Sequence, residues 1–227
     1  MAIRANALAV MAKAPVAWQV KTRLLSSFTA EEAAELSRSL LMDQLNHVQA
    51  LDTADFYLAF APDDAQLLME KLAPPCFHLF PQPGDDLGAR MTAVFERLFQ
   101  MGHKNIALIG GDLPPVPLHF FDQAYAFLEA PNKRVVLGPS RDGGYYLVGC
   151  NRPTPQIFQG MSWSHSEVLM ETQSKLASLK VDYHLLPLWF DIDTADDLRH
   201  LESVLDNALK KAMPNTLLLL QRVGLKK

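Results

Sequence analysis

The chain has 227 residues, 49% hydrophobic and 20% charged, with a formal net charge of −4. That length and composition belong to a globular protein with a sizeable core, and they exclude disorder along the whole length. The slight acidic excess argues against a general nucleic-acid binder, which needs a basic face.

Residues 5–12 form a short apolar run closed by Pro15, which reads as a buried strand. The run is too short for a secretory segment, and no later stretch approaches the roughly 18–20 apolar residues of a membrane span. The loop that follows carries Lys13, Lys21 and Arg23. Lysine and arginine beyond the end of a first strand suit phosphate oxygens, one as a point charge and the other as a fork. The alternative is a solvated basic loop. The loop is no P-loop, because the spacing G-x-x-x-x-G-K-[ST] is absent. Thr29 with Glu32 forms a capping-box pattern, opening a helix over 30–48 with Ala33, Leu36, Leu40, Leu41 and Leu45 on one face.

Strand and helix patterns then alternate: strand 55–61, helix 63–72, strand 77–80, helix 87–101, strand 105–109 and helix 117–128. Strands 134–137 and 145–148 flank a glycine-containing turn, followed by helix 164–179, strand 182–186 and helix 194–209. Such alternation implies βαβ units and a mostly parallel sheet. With no repeat or linker-like shift in composition, one domain over 1–227 is expected, with 207–227 as a C-terminal helical appendage. Its last part, 214–227, reads as a packing helix, a contact to a second copy in a homodimer, or a frayed tail. Cys76 and Cys150 have no metal-type spacing, which predicts neither a disulfide framework nor a zinc site and suits a reducing cytoplasm.

Ligands of open α/β sheets bind beyond the carboxyl ends of the strands, so the loops there are the candidate site. The turn at 82–90 could wrap a base or ribose. Gly110 and Gly111 would let a ligand approach the backbone, and Asp112 beside them could hold a hard cation near phosphates. Asp142, in the turn Asp142-Gly143-Gly144-Tyr145, could bend over the cleft and act as an acceptor base; the rival reading is a structural hairpin. Asp191 and Asp193 alternate onto one side, and either could be a second metal carboxylate, Asp193 being favoured; Asp193 or Thr194 could instead cap the next helix.

Taken in order, Lys13-Ala14-Pro15 through Val20-Lys21-Thr22-Arg23-Leu24, Gly110-Gly111-Asp112-Leu113-Pro114, Gly138-Pro139 with Asp142-Gly143-Gly144-Tyr145-Tyr146-Leu147, Trp163-Ser164 and Asp191-Ile192-Asp193-Thr194 resemble one bacterial family. It is the radical-SAM/selenodomain-associated transferase, or glycosyltransferase-like, family of the nucleotide-diphospho-sugar transferases. The resemblance spans about 5–205. It implies a GT-A-like, Rossmann-like αβα sandwich with Asp112 and Asp193 as ligands of Mg2+ or Mn2+. Two features depart from the wider pattern: Gly110-Gly111 stand where many GT-A enzymes have Asp-x-Asp, and the G-x-G-x-R loop of sugar nucleotidyltransferases is missing.

The expectation is therefore a metal-dependent transferase using a nucleotide-sugar donor and a small acceptor of unknown identity. The alternatives are nucleotidyl transfer onto a phosphorylated small molecule, as in guanylyltransferases, and a non-catalytic nucleotide-binding protein. A haloacid-dehalogenase-type phosphatase is disfavoured, because its D-x-D-x-T follows a first strand and here the motif begins at Asp191.

Overall fold

The computed structural model describes residues 3–224. Among them, one sheet holds β1 (Asn6–Lys13), β2 (Ala54–Ala61), β3 (Phe77–Pro81), β4 (Asn105–Gly110), β5 (Arg134–Pro139), β6 (Tyr145–Cys150) and β7 (Asp182–Leu185). The order is β3-β2-β1-β4-β6-β5-β7. Every neighbouring pair is parallel except the two that β6 makes, with β4 and with β5. The fold is α/β, with a seven-stranded, mostly parallel mixed sheet.

The central strands are apolar throughout because both faces of the sheet are covered. On β1, Leu8, Val10 and Ala12 enter one core while Ala7 and Ala9 enter the other. The first core is closed by α1 (Ala30–Val48), α2 (Gln66–Leu72) and α4 (Leu118–Leu128). The second is closed by α3 (Leu87–Gln100) and α5 (Val168–Ser178).

The helix α1 has the predicted bounds. Thr29 Oγ1 accepts from Glu32 N at 3.1 Å, and the Glu32 carboxylate accepts from Thr29 N at 2.8 Å. Its apolar residues do not share one core, however. Leu41 and Leu45 face the sheet, whereas Ala33, Leu36 and Leu40 pack in a third cluster with α6 (Ala195–Val204), α7 (Asn207–Ala212) and α8 (Pro214–Val223). One helix thus joins the sheet to the C-terminal helices.

Three predicted helices differ in detail. The segment from Asp63 opens as a 3₁₀ turn, and the helix predicted from 164 begins only at Val168. The segment predicted over 194–209 is two helices, because the Asp206 side chain accepts from Leu209 N and starts a new one. Within 214–227, Pro214–Val223 is a helix packed on α1; residues 225–227 lie outside the described residues. Among the described residues, no helix is long and apolar enough to cross a membrane.

Candidate functional site

A cavity of about 440 Å³ opens at the carboxyl ends of β1 and β4. From β1 the chain crosses over to β2 on one side, while β4 lies on the other. Such a reversal of strand order leaves a crevice between the diverging loops, and its volume suits a nucleotide-sized ligand. Lys13, Lys21, Arg23, Gly110, Gly111, Asp112 and Asp193 all line it.

Lys21 is carried inward by its neighbours. Val20 and Leu24 are buried on either side, and Lys21 itself takes the left-handed backbone (φ 49°) that starts a 3₁₀ turn over Thr22–Leu24. Its side chain is only 2% exposed. Nζ donates to Asp112 Oδ2 at 3.1 Å and to Asp193 Oδ1 at 3.0 Å, and lies 3.5 Å from the Asp112 carbonyl oxygen. Arg23 Nη1 stands 3.8 Å from Asp193 Oδ2 and is largely exposed. Lys13 is exposed at the end of β1.

Each carboxylate is placed by the backbone around it. Gly111 N donates to Met11 O at 2.9 Å and closes the end of β4 against β1. A Cβ on Gly111 would lie 2.8 Å from Ala12 Cβ and 3.0 Å from Leu41 Cδ1, so close packing excludes a larger residue. With its N–H already bonded, Gly111 serves this packing more directly than it serves a ligand. At the other side, Thr194 caps α6 and Asp197 reciprocates, accepting from Thr194 N at 2.7 Å and Asp193 N at 3.1 Å. Capping therefore falls to Thr194 and Asp197, and the Asp193 carboxylate is left for Lys21.

The electrostatics follow from this triad. Burial alone would lower the Lys21 pKa, but Asp112 and Asp193 outweigh it and hold the ammonium above the usual lysine range. The same ammonium keeps the Asp112 carboxyl below the usual carboxylate range against the effect of burial, with Lys13 adding to it. Asp191 behaves oppositely. Partial burial, then the charges of Asp193, Asp142 and Asp112, push it up to about 6; Ser140 Oγ lies 3.4 Å from its Oδ1.

Mg2+ takes carboxylate oxygens at about 2.0–2.1 Å. Asp112 and Asp193 do converge, but they are spaced around an ammonium about one ångström further out, and its nitrogen stands where the ion would. As arranged, the pair holds the Lys21 ammonium at hydrogen-bond distance, and an ion on that nitrogen would stand outside coordination distance of both. A second cluster, His165, Glu167 and Glu171, brings three possible ligand atoms within 4.8 Å of one another. His165 Nδ1 accepts from Glu167 N at 3.2 Å and Nε2 lies 3.0 Å from Ser162 O, so both ring nitrogens are engaged.

Asp142, expected as the acceptor base, sits in the β5–β6 turn. It is exposed, does not line the cavity, and its Oδ1 accepts from Gly144 N at 3.0 Å, satisfying the turn's own backbone. Nor does the turn bend over the cleft. Gly143 (φ 91°) lies so close to Ser166 that a Cβ would fall 2.0 Å from Ser166 O, and Gly143 O accepts from Leu169 N at 3.0 Å. The turn is pinned to the segment leading into α5. Tyr145, next in sequence, does line the cavity. So do Gln82, from the loop after β3, and Arg90, from the first turn of α3. Gln82 Nε2 donates to Ala12 O at 3.0 Å, and Arg90 Nε donates to Gly84 O at 2.9 Å. Their position after a strand end was the sequence signal for them. Lys21's bridging role had none, since its partners lie 91 and 172 residues away.

Residues 44–165 match the sequence profile of the family described as uncharacterized protein conserved in bacteria, DUF2064. The chain belongs to that family. No curated protein matches it in sequence. Among solved structures it is similar to a protein of Desulfovibrio desulfuricans G20 proposed to be a nucleotide-diphospho-sugar transferase. The two are 29% identical, with a TM-score of 0.88 over 98% of this chain and 97% of that one. It also shares its fold with a cytidylyltransferase of Leptospira borgpetersenii, 9% identical at a TM-score of 0.54 over 99% of this chain and 98% of that one. A 4-diphosphocytidyl-2C-methyl-D-erythritol synthase of Anaerococcus prevotii, 10% identical at 0.54, covers 88% of this chain and 96% of its own.

Proposed function

We propose that the chain is a transferase that binds a nucleotide-sugar through its diphosphate and passes the sugar to a small acceptor, as its resemblance to the radical-SAM/selenodomain-associated, glycosyltransferase-like family implies. The observation that carries this reading is the meeting of Lys13, Lys21 and Arg23 with Asp112 and Asp193 in one cavity at the strand-order reversal. The 29% identity over nearly the whole chain to the Desulfovibrio protein supports it.

In the reaction, the bond between the anomeric carbon and the diphosphate oxygen breaks. A bond forms to an acceptor hydroxyl, whose proton goes to a base, and a nucleoside diphosphate leaves. Fixed cations aimed at the departing diphosphate stabilise the charge that develops on it. Lys13 and Arg23 are the exposed cations for that role. Asp142 and Asp191, both outside the cavity lining, are the candidate bases; burial and neighbouring carboxylates raise Asp191 toward neutrality, where a base works best.

A panel of nucleotides and nucleotide-sugars, scored by thermal shift and then by product, tests the reading. At least one nucleotide-sugar should raise Tm, by about 5–10 °C at a hundredfold excess over Kd. Its turnover should release nucleoside diphosphate. A panel that leaves Tm unmoved throughout would sink the proposal. Release of pyrophosphate from a nucleoside triphosphate would assign nucleotidyl transfer instead, the reading favoured by the fold shared with cytidylyltransferases.

A further inference from the structure

We propose that Lys21 is the resident cation of this site: its ammonium takes the place of a divalent ion between Asp112 and Asp193, and the chain binds a diphosphate-bearing ligand without metal. The second clause rests on the function proposed above; the first rests on geometry alone.

The ammonium has three N–H donors and three oxygens around it, Asp112 Oδ2, Asp193 Oδ1 and, at the longer distance of 3.5 Å, the Asp112 carbonyl. A lysine this covered pays for its burial through these partners, and pulling it out would leave two carboxylates unpaired. Its left-handed backbone is seldom adopted by a non-glycine residue and is held by the buried side chains of Val20 and Leu24. Withdrawal would have to undo that packing as well. The charge count points the same way. Asp112 and Asp193 bring two negative charges; Lys21 cancels one and Arg23, 3.8 Å from Asp193, offsets the other. Lys13 then remains as a further cation exposed at the cavity wall. The phosphates of a ligand would meet Lys13 and Arg23 directly, with Lys21 beneath them holding the two carboxylates in place. A divalent ion placed on the lysine nitrogen would be about one ångström too far from both carboxylates to bind them.

Two measurements on the intact chain test this. In the first, Mn2+ alone is titrated and followed by electron paramagnetic resonance. The wild type should leave Mn2+ free, Lys21→Met should acquire a bound ion, and Lys21→Met with Asp193→Asn should lose it. Mn2+ bound by the wild type and released by Asp112→Asn would overturn the inference, and so would a folded Lys21→Met that binds none. If Lys21→Met fails to fold, the wild type and Asp112→Asn still decide. In the second, inorganic pyrophosphate is titrated calorimetrically in EDTA and in magnesium. Affinities within about threefold of each other are expected; a gain of about tenfold or more with magnesium would overturn metal-free binding. Pyrophosphate that binds in neither condition counts against the transferase reading, while the Mn2+ titration still judges Lys21.

Discussion

Asp191 and Asp193 stand two residues apart and meet opposite fates. Asp193 pairs with Lys21, whereas Asp191 has Ser140 for a neighbour and three other carboxylates within electrostatic reach. Its pKa rises on folding from the ordinary carboxylate range to about 6. The folded state therefore binds the Asp191 proton more tightly than the unfolded state does. The stability this provides is complete below the unfolded pKa, falls as pH rises through 6, and is gone above it. Asp191→Asn removes the charge and should make the protein more stable at pH 7.5. The gain should be on the order of 1 kcal/mol, allowing for solvent screening of a partly exposed group, and should shrink toward pH 4. Urea unfolding at several pH values measures it; a gap that widens on acidification would mean that Asp191 is held as an anion. Asp112 was legible as a strand-end carboxylate and Asp193 as one just before a helix. The lysine between them was not, because its direction is set by Val20 and Leu24 packing on either side of a left-handed backbone.

At the level of elements, signals confined to a few residues were readable. The Thr29–Glu32 box fixed the start of α1, and Asp142-Gly143 marked the β5–β6 turn. What depends on distant contacts was not readable, and the capping of α8, itself expected as a packing helix, is the clearest case. Its first turn is capped from α1: Asp43, fully buried, accepts from Asn215 N at 3.1 Å, Asn215 Nδ2 at 2.7 Å and Thr216 N at 2.8 Å. A carboxylate at a helix N-terminus is favoured both by the free N–H groups and by the helix dipole. Asp43→Ala would leave those donors buried without acceptors and should cost about 3 kcal/mol. The loss should appear first as faster hydrogen exchange over 214–223, with the sheet still protected. Unchanged protection there would mean that α8 is held by its apolar face alone, through residues such as Leu219.

For the molecule as a whole, alternating strands and helices announced an α/β fold, but the order of strands was hidden. Placing β6 in reverse between β4 and β5 is decided by pairings between distant segments, which no local pattern records. That order brings the loop after β1, the loop after β4 and the segment before α6 into one cavity. The fold and the ligand site are therefore separable, and Arg23 tests the separation. Its side chain is 66% exposed and its ion pair with Asp193 is long at 3.8 Å. An exposed pair of this kind contributes about 0–1 kcal/mol to stability. Arg23→Glu should thus shift Tm by no more than about 2–4 °C, since a chain of this size moves that much per kcal/mol. Its effect on a diphosphate ligand should be much larger. Reversing the charge replaces an attraction with a repulsion at close range, and affinity should fall at least tenfold, about 1.4 kcal/mol. The loss should be greatest at low ionic strength and narrow as salt screens the exposed charge. Pyrophosphate titrations of wild type and variant at two salt concentrations decide the matter. Equal affinities at both would make Arg23 a solvated surface charge and leave the phosphates to Lys13 and the cavity's other walls.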